Sequence, residues 1–164
     1  MSLEERDHGY DDILALVEDL KRRKVHVAIG VVGDDAGKEI PDADGLSMAG
    51  LAAVHEFGAW AGPGRSVWIP ERAPIRKTLD ERGAAINTAA VRMVTRVAEG
   101  KETVESGLGK VGEFVSSQIR RTIQRGVEPP NAPSTIERKK SSKPLIDEGL
   151  LIRSYTYQVR EGDE

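Results

Sequence analysis

Residues 129–159, PPNAPSTIERKKSSKPLIDEGLLIRSYTYQV, carry the densest structural signals in this chain. The prolines between residues 129 and 133 exclude a helix at the start of this stretch. At its end, Tyr155, Tyr157 and Val159 alternate with polar residues, as is typical of a strand with one covered face. The stretch therefore predicts a loop followed, further on, by a strand that packs on a core.

Between that loop and that strand, two short helical segments are expected. Ser134 with Glu137 three residues later has the spacing of a capping box, which predicts a short helix through residues 136–140. The apolar residues that follow predict a turn and a short helix that fold back onto the protein: Leu145, Ile146, Leu150 and Leu151.

A partner for the last strand is expected near the start of the chain. Every second residue from Val25 to Val31 is apolar, so residues 25–32 predict a half-buried strand. We expect residues 155–159 to join it in one sheet. Residues 11–23 place apolar side chains at helical spacing and end in cations, which predicts an amphipathic helix before the first strand.

The middle of the chain is mainly helical in pattern. A short helix over residues 48–57 is expected, capped by Asp44 or Ser47 and ended by Gly58.

Residues 71–126 then predict either one long helix, broken or continuous, or two consecutive helices, with an interruption expected at Gly83. Gly107, Gly109 and Gly112 within this region predict a kink or a close approach of another element.

These elements predict an α+β fold in which a small antiparallel or mixed sheet packs against a long helix, kinked or straight, with shorter helices around it. A length of 164 residues suits a single domain, 1–164, with a core over about residues 10–160 and short flexible termini. The connecting loops are expected at about residues 33–45, 59–70 and 126–133.

The composition excludes several classes of protein. A net charge of −3 argues against a dedicated polyanion binder, and the absence of cysteine removes disulfides, thiolate catalysis and cysteine zinc sites. No apolar run approaches the roughly 20 residues that cross a bilayer, so no membrane association is expected. Three scattered histidines without a convergent acid and base suggest no enzyme, and we expect neither cofactor nor metal, since the aspartates of residues 34–44 lack the ligand order of a calcium loop.

Two sets of residues are candidates for contacts with other molecules. Trp60 and Trp68 lie in the glycine- and proline-rich segment 59–70 together with Arg65. The tryptophans either fix this segment to the core or, with Arg65, contact a neighbouring subunit or another partner.

The second set is the basic run at residues 138–143, which includes Arg138, Lys139 and Lys140. It is either a solvated face or a contact surface. As an alternative function, the chain could be a small nucleic-acid-binding module that uses this run with the basic end of the first helix.

An ordered set of motifs over about residues 46–159 resembles the tail-completion and neck proteins of tailed bacteriophages, the HK97 gp10-like and virion-morphogenesis families. The motifs are His55-Glu56-Phe57-Gly58, Ile69-Pro70, a long helical region, Pro133-Ser134-Thr135-Ile136, and the run from Ser142 to Leu151. The chain departs from the family pattern after Ile69-Pro70, where an arginine and an aromatic residue are common, and at Glu148, where threonine is common.

The resemblance implies a structural protein without catalytic activity. Such a subunit would sit at the head–tail junction or the tail end, form a ring-like homo-oligomer, and contact other phage neck or tail proteins. DNA would be cargo that passes through the ring. The protein would reside in the host bacterial cytoplasm during assembly and then in the virion.

Overall fold

A computed structural model describes residues 3–40, 45–132, 136–137, 145 and 149–162. The helices in this part of the chain are α1 (Leu3–Arg23), α2 (Met48–Phe57), α3 (Pro74–Ala98), α4 (Val104–Arg125) and α5 (Leu150–Ser154). The strands are β1 (His26–Val31), β2 (Ala59–Ala61), β3 (Val67–Ile69) and β4 (Tyr155–Arg160).

The α+β class is confirmed, and so is the pairing between the two ends of the chain. Strands β1 and β4 are antiparallel, with Val27 opposite Val159 and Ile29 opposite Tyr157. A second antiparallel pair, β2 with β3, replaces the expected loop over residues 59–70. The sheets are therefore antiparallel, and the loop prediction for residues 59–70 was wrong.

Helix α4 is the centre of the fold because it packs on α3, on the β1–β4 sheet and on α5. Its residues Val111, Val115, Ile119 and Ile123 recur every four positions and are all buried, as a helical spacing requires. The core that forms around them also includes Met48, Ala52, Val127, Leu145, Leu151, Ile152 and Tyr155.

The predicted helical region of residues 71–126 forms two helices that pack on each other. The chain leaves α3 at Gly100, whose φ of 66° favours glycine, and Thr103 begins α4 by accepting a hydrogen bond from the Ser106 amide at 3.2 Å. Gly83 lies inside α3 and does not interrupt it, so that expectation was wrong. A glycine costs a helix only about 1 kcal/mol, which the rest of α3 offsets.

The glycines of α4 permit close packing. A Cβ atom on Gly112 would lie 2.6 Å from Cγ of Tyr157 on β4, and one on Gly107 would collide with Met93 of α3. Close approach, one of the two expected roles, is therefore confirmed, and α4 continues as a helix through all three glycines.

Polar side chains also meet between α3 and α4. The hydroxyls of Thr78 and Thr122, both fully buried, lie 2.9 Å apart, and Thr78 also hydrogen-bonds the Pro74 carbonyl at 2.7 Å. Buried hydroxyls require such partners, so this pair fixes the position of α3 along α4.

The C-terminal region follows the expected course in part. Leu145 and Leu151 are buried, whereas Leu150 is 44% exposed and Ile152 is buried in its place. Leu150 is the first residue of a short helix that turns its opposite side to the core. The predicted capping box at Ser134 and the apolar Ile146 lie outside the described residues.

Helix α1 begins eight residues earlier than the apolar pattern indicated, at Leu3 instead of residue 11. Its last residue ties it to the body: Arg23 forms ion pairs with Glu105 of α4 and with Glu161, 2.9 Å away, at the end of β4. These bonds raise the pKa of Arg23. Among the described residues, no helix has the length and apolar character needed to cross a membrane.

We expect Gly112→Ala to destabilise the protein by about 1–3 kcal/mol, because its methyl group would displace Tyr157 from α4. Gly83→Ala is the matched control, since a Cβ atom there meets nothing within 4 Å and alanine favours the helix by about 1 kcal/mol. Urea unfolding measures both. A Gly112→Ala protein as stable as the Gly83→Ala protein would contradict the packing described.

A second prediction concerns the α3–α4 connection, where Glu102 accepts hydrogen bonds from Lys110, Ser106 and Arg96. These partners lower the pKa of Glu102 from 4.5 to about 2. Because the folded-state pKa is depressed, the ionised form stabilises the folded state above pH 4.5, and this contribution disappears as pH falls towards 2.

Glu102→Gln should therefore make the protein less stable than the wild type at neutral pH. This difference in stability should shrink as the pH falls from 4.5 to 2. Thermal unfolding across this range is the measurement. A stability difference that stays constant with pH would show that the lost stability does not come from the charge of Glu102.

Candidate assembly surface

The β2–β3 hairpin carries both tryptophans on the outside of the protein. Trp60 and Trp68 are directly opposite each other, their ring centroids are 5.3 Å apart, and the rings are tilted by 58°. Trp60 is 59% exposed and Trp68 48% exposed. The tryptophans therefore pack mainly on one another, which favours the second of the two expected roles, a contact with another molecule, over fixation to the core.

Two further apolar side chains next to or within the hairpin are also exposed. Phe57, at the end of α2, is 66% exposed, and Val67, at the start of β3, is 56% exposed. We call Phe57, Trp60, Val67 and Trp68 the hairpin surface. Four large exposed apolar residues within twelve positions of the chain favour an interaction site.

The turn of the hairpin places a cation at its tip. Pro63–Arg65 form a 3₁₀ turn, and the Arg65 amide donates to the Gly62 carbonyl at 3.0 Å. Arg65 is exposed and has a φ of 54°. The structure thus places Trp60, Arg65 and Trp68, which were predicted together as candidate contact residues, in one small element.

Gly58 allows the hairpin to leave α2. Its φ of 74° favours glycine, and a Cβ atom there would lie 2.7 Å from Cζ2 of Trp68 and 3.1 Å from the Ile69 carbonyl oxygen. The Gly58 amide also donates to the Val54 carbonyl at 2.8 Å, which ends the helix as predicted. One residue therefore both ends α2 and makes room for the Trp68 ring.

The base of the hairpin is fixed by Glu56, which is only 5% exposed. Its carboxylate accepts hydrogen bonds from the backbone amides of Ile75 and Arg76, each at 3.0 Å, at the first turn of α3. The Arg76 side chain donates to the same carboxylate at 3.1 Å and also to the Glu56 carbonyl. A carboxylate at a helix N-terminus satisfies amides that lack intrahelical partners and complements the helix dipole.

A cap from elsewhere is needed because α3 supplies none itself. Ala73 precedes the helix in a left-handed conformation and has no side chain that can accept a hydrogen bond, and Pro74 occupies the first turn. Arg76 also places its guanidinium 5.4 Å from the centroid of the Phe57 ring, a cation–π distance. The hairpin surface therefore rests directly on the α2–α3 junction.

Arg72 holds a second segment against this junction. It is 8% exposed, and it donates to the Pro129 carbonyl at 3.1 Å and to the Asn131 side chain at 3.4 Å. Its guanidinium also lies 3.3 Å from Nδ1 of His55. Burial lowers the pKa of Arg72.

Sequence reasoning missed the roles of Glu56 and Arg72. Their partners lie far along the chain, 19 residues away for Ile75 and 57 for Pro129. One signal was present for Glu56: a proline that opens a helix after Ala73, without a serine, threonine or aspartate before it, indicates that another element supplies the cap.

The remaining candidates are the basic run at residues 138–143 and the basic end of α1. Arg138, Lys139 and Lys140 lie outside the described residues. At the basic end of α1, Lys21 pairs with Glu18 at 2.9 Å and Arg22 pairs with Asp19 at 2.6 Å. Neighbouring carboxylates therefore balance these two cations. Within the part of the chain that the structure describes, no group of three histidine, aspartate or glutamate side chains could hold a metal ion.

We expect Glu56→Ala to lower stability by about 2 kcal/mol, because two partly buried amides at the start of α3 would lose their acceptor. Glu71→Ala is the matched control, since Glu71 is the other carboxylate that contacts Arg76, at 3.2 Å, but is exposed. Urea unfolding compares the two. Equal losses would mean that Glu56 acts only as an ion-pair partner of Arg76.

Comparison of the chain with protein-family models, with curated proteins and with solved structures found no match in any of the three.

Proposed function

We propose that this chain is a structural subunit of a bacteriophage or prophage virion, located at the head–tail junction or at the end of the tail. It forms a ring-like homo-oligomer and docks to neighbouring neck or tail proteins. Its role is assembly, without catalysis or a cofactor, and DNA passes through the ring as cargo. The protein acts in the host bacterial cytoplasm during assembly and then in the virion.

One observation carries this proposal: two of the motifs behind the resemblance form the base of the hairpin surface. In His55-Glu56-Phe57-Gly58, Glu56 caps α3 and Gly58 starts the hairpin. Ile69-Pro70 ends β3 and leads back towards α3. Both motifs thus help to hold the hairpin that presents Trp60 and Trp68.

The chemistry of the hairpin surface suits a protein partner. Tryptophan and arginine are the residues that contribute most to protein–protein binding energy, and the tip combines two tryptophans with Arg65. A surface for nucleic acid would instead need a clear basic excess, whereas the chain has a net charge of −3. The same negative charge suits a ring through which DNA moves without being held.

Copurification with the portal, adaptor and tail-tube proteins of the same phage tests the proposal, together with size-exclusion chromatography and light scattering. Retention by at least one of these partners is the expected result. A strict monomer with affinity for none of them would contradict the proposal. A gel shift with DNA at low salt that weakens steeply as salt rises would favour the alternative of a nucleic-acid-binding module.

Trp60→Ala and Trp68→Ala should each weaken partner binding by about 30-fold, the equivalent of about 2 kcal/mol for the loss of a central aromatic contact. Leu150→Ala is the matched control, because Leu150 is also exposed, at 44%, but lies on α5. Surface plasmon resonance against the partner found by copurification measures the three affinities. Wild-type affinity of both tryptophan variants would exclude the hairpin surface as the contact.

A further inference from the structure

Helix α3 has an outer face that no other described element covers. Val91 is 56% exposed and Val94 is 60% exposed, and both lie in the half of α3 that is remote from the hairpin. The sequence from Gly83 to Val91 contains no charged residue, although most of it is exposed. An uncharged helical face of this length is unusual on a solvated helix, whose outer side normally carries charged and polar residues.

The charges that border this face have one sign. Between Glu81 and Glu99, α3 contains no acidic residue, and its only charged residues are three arginines: Arg82, Arg92 and Arg96. Arg96 is already paired with Glu102 at 3.1 Å, while Arg82 and Arg92 are exposed. The outer face of α3 is therefore apolar, and the charges nearest to it within residues 82–98 are positive.

Helix α1 has the complementary properties. Ile13, Leu14 and Val17 are 42%, 44% and 38% exposed and lie on one side of the helix. From Leu3 to Val17, α1 has five acidic residues and one arginine, whereas Glu18 and Asp19 pair with the cations of its last turn. Among the described elements, none makes an extensive contact with α1, which is held at its last turn by Arg23.

We infer that α1 of one copy of this chain docks on the outer face of α3 of a second copy. The exposed apolar side chains of α1 then cover Val91 and Val94, and the acidic excess of Leu3–Val17 complements the arginines of α3. The lengths agree: α1 is about 31 Å long and the stretch of α3 from residue 83 to 98 is about 24 Å, at 1.5 Å per residue.

The acidic character of α1 selects this occupant among the alternatives. A helix that binds a membrane surface or nucleic acid usually carries basic residues beside its apolar face, because lipids and phosphates are anionic. The acidic first part of α1, Leu3–Val17, is repelled by both. The arginine-bordered face of α3 is a surface of opposite charge that every copy of the chain carries.

The contact is heterologous, since it joins two different surfaces. A heterologous contact leaves one free α1 and one free α3 face on every pair, so copies add head to tail until a ring closes. The inference rests on the self-assembly part of the proposed function and is independent of the virion assignment. Contact between two single helices buries less area than a standard interface of about 1,600 Å², so association should depend on protein concentration.

A complementation experiment tests the inference. One variant combines Ile13→Glu with Val17→Glu on α1, and the other combines Val91→Glu with Val94→Glu on α3. Each keeps the opposite surface intact. Matched controls place glutamate elsewhere on the same helices: Ala15→Glu on another exposed side of α1, and Leu79→Glu, at a residue that is 46% exposed, on the part of α3 before Gly83. Circular dichroism and thermal unfolding check that every variant is folded.

We expect the wild type and both controls to associate as concentration rises, measured by sedimentation velocity. Each interface variant alone should associate at least about tenfold more weakly than the wild type, because glutamate would be buried without a partner. A mixture of the two variants should form heterodimers and stop there, since one intact interface remains per pair. Growth of the mixture beyond dimers would contradict the inference, as would its failure to pair.

Two other outcomes also overturn the inference. A wild type that stays monomeric at every concentration excludes the contact. An α3 variant that is less stable while its association is unchanged would show that this face of α3 is covered from within the chain. Loss of copurification with neck and tail proteins, with heterodimer formation intact, would instead reject only the virion assignment.

Discussion

The carboxylate of Glu56 at the start of α3 is the interaction on which the candidate assembly surface depends. Helix α3 opens with Ala73 and Pro74 and has no cap of its own, so its first amides need an acceptor from α2. Because the same residue is followed two positions later by Gly58, the bond that starts α3 also sets where the hairpin leaves α2. A hairpin with strands of three residues has little stability of its own. Its position is therefore inherited from the junction beneath it.

Apolar periodicity was a reliable guide wherever a segment packs on the core. The β1–β4 pairing and α4 were predicted because their buried positions recur with periods of two and of three to four. The hairpin was missed because three residues per strand are too few to show an alternation, and because Trp60 and Trp68 pack on each other, not on the core. Gly83 and Gly100 look equivalent in the sequence. Only Gly100 is followed closely by a residue, Thr103, whose side chain caps the next helix.

The candidate contact residues show the same division. Trp60, Arg65 and Trp68 were predicted as contact residues because their types are typical of interfaces, whereas Glu56 and Arg72 act through partners distant in sequence. Local patterns report how a segment meets the core or the solvent, and they do not report which distant backbone group a buried charge will satisfy. The unpartnered faces of α1 and α3 also became visible only when exposure was known, because Val91 and Val94 look like core residues in a helical pattern.

The hairpin surface and the outer face around Val91 and Val94 lie towards opposite ends of α3, which is about 37 Å long at 1.5 Å per residue. The buried hydrogen bond between Thr78 and Thr122 determines how a displacement of α3 at one surface reaches the other surface. Sliding α3 along α4 would separate the two hydroxyls in a dry interior, and Gly107 would lose the fit with Met93 that lets the helices lie close together. We therefore expect α3 and α4 to move together as one rigid unit. In the proposed assembly, a partner that tilts the hairpin would rotate the far end of α3 by the same angle, so docking at the hairpin would change the position of the α3 surface that contacts the next subunit.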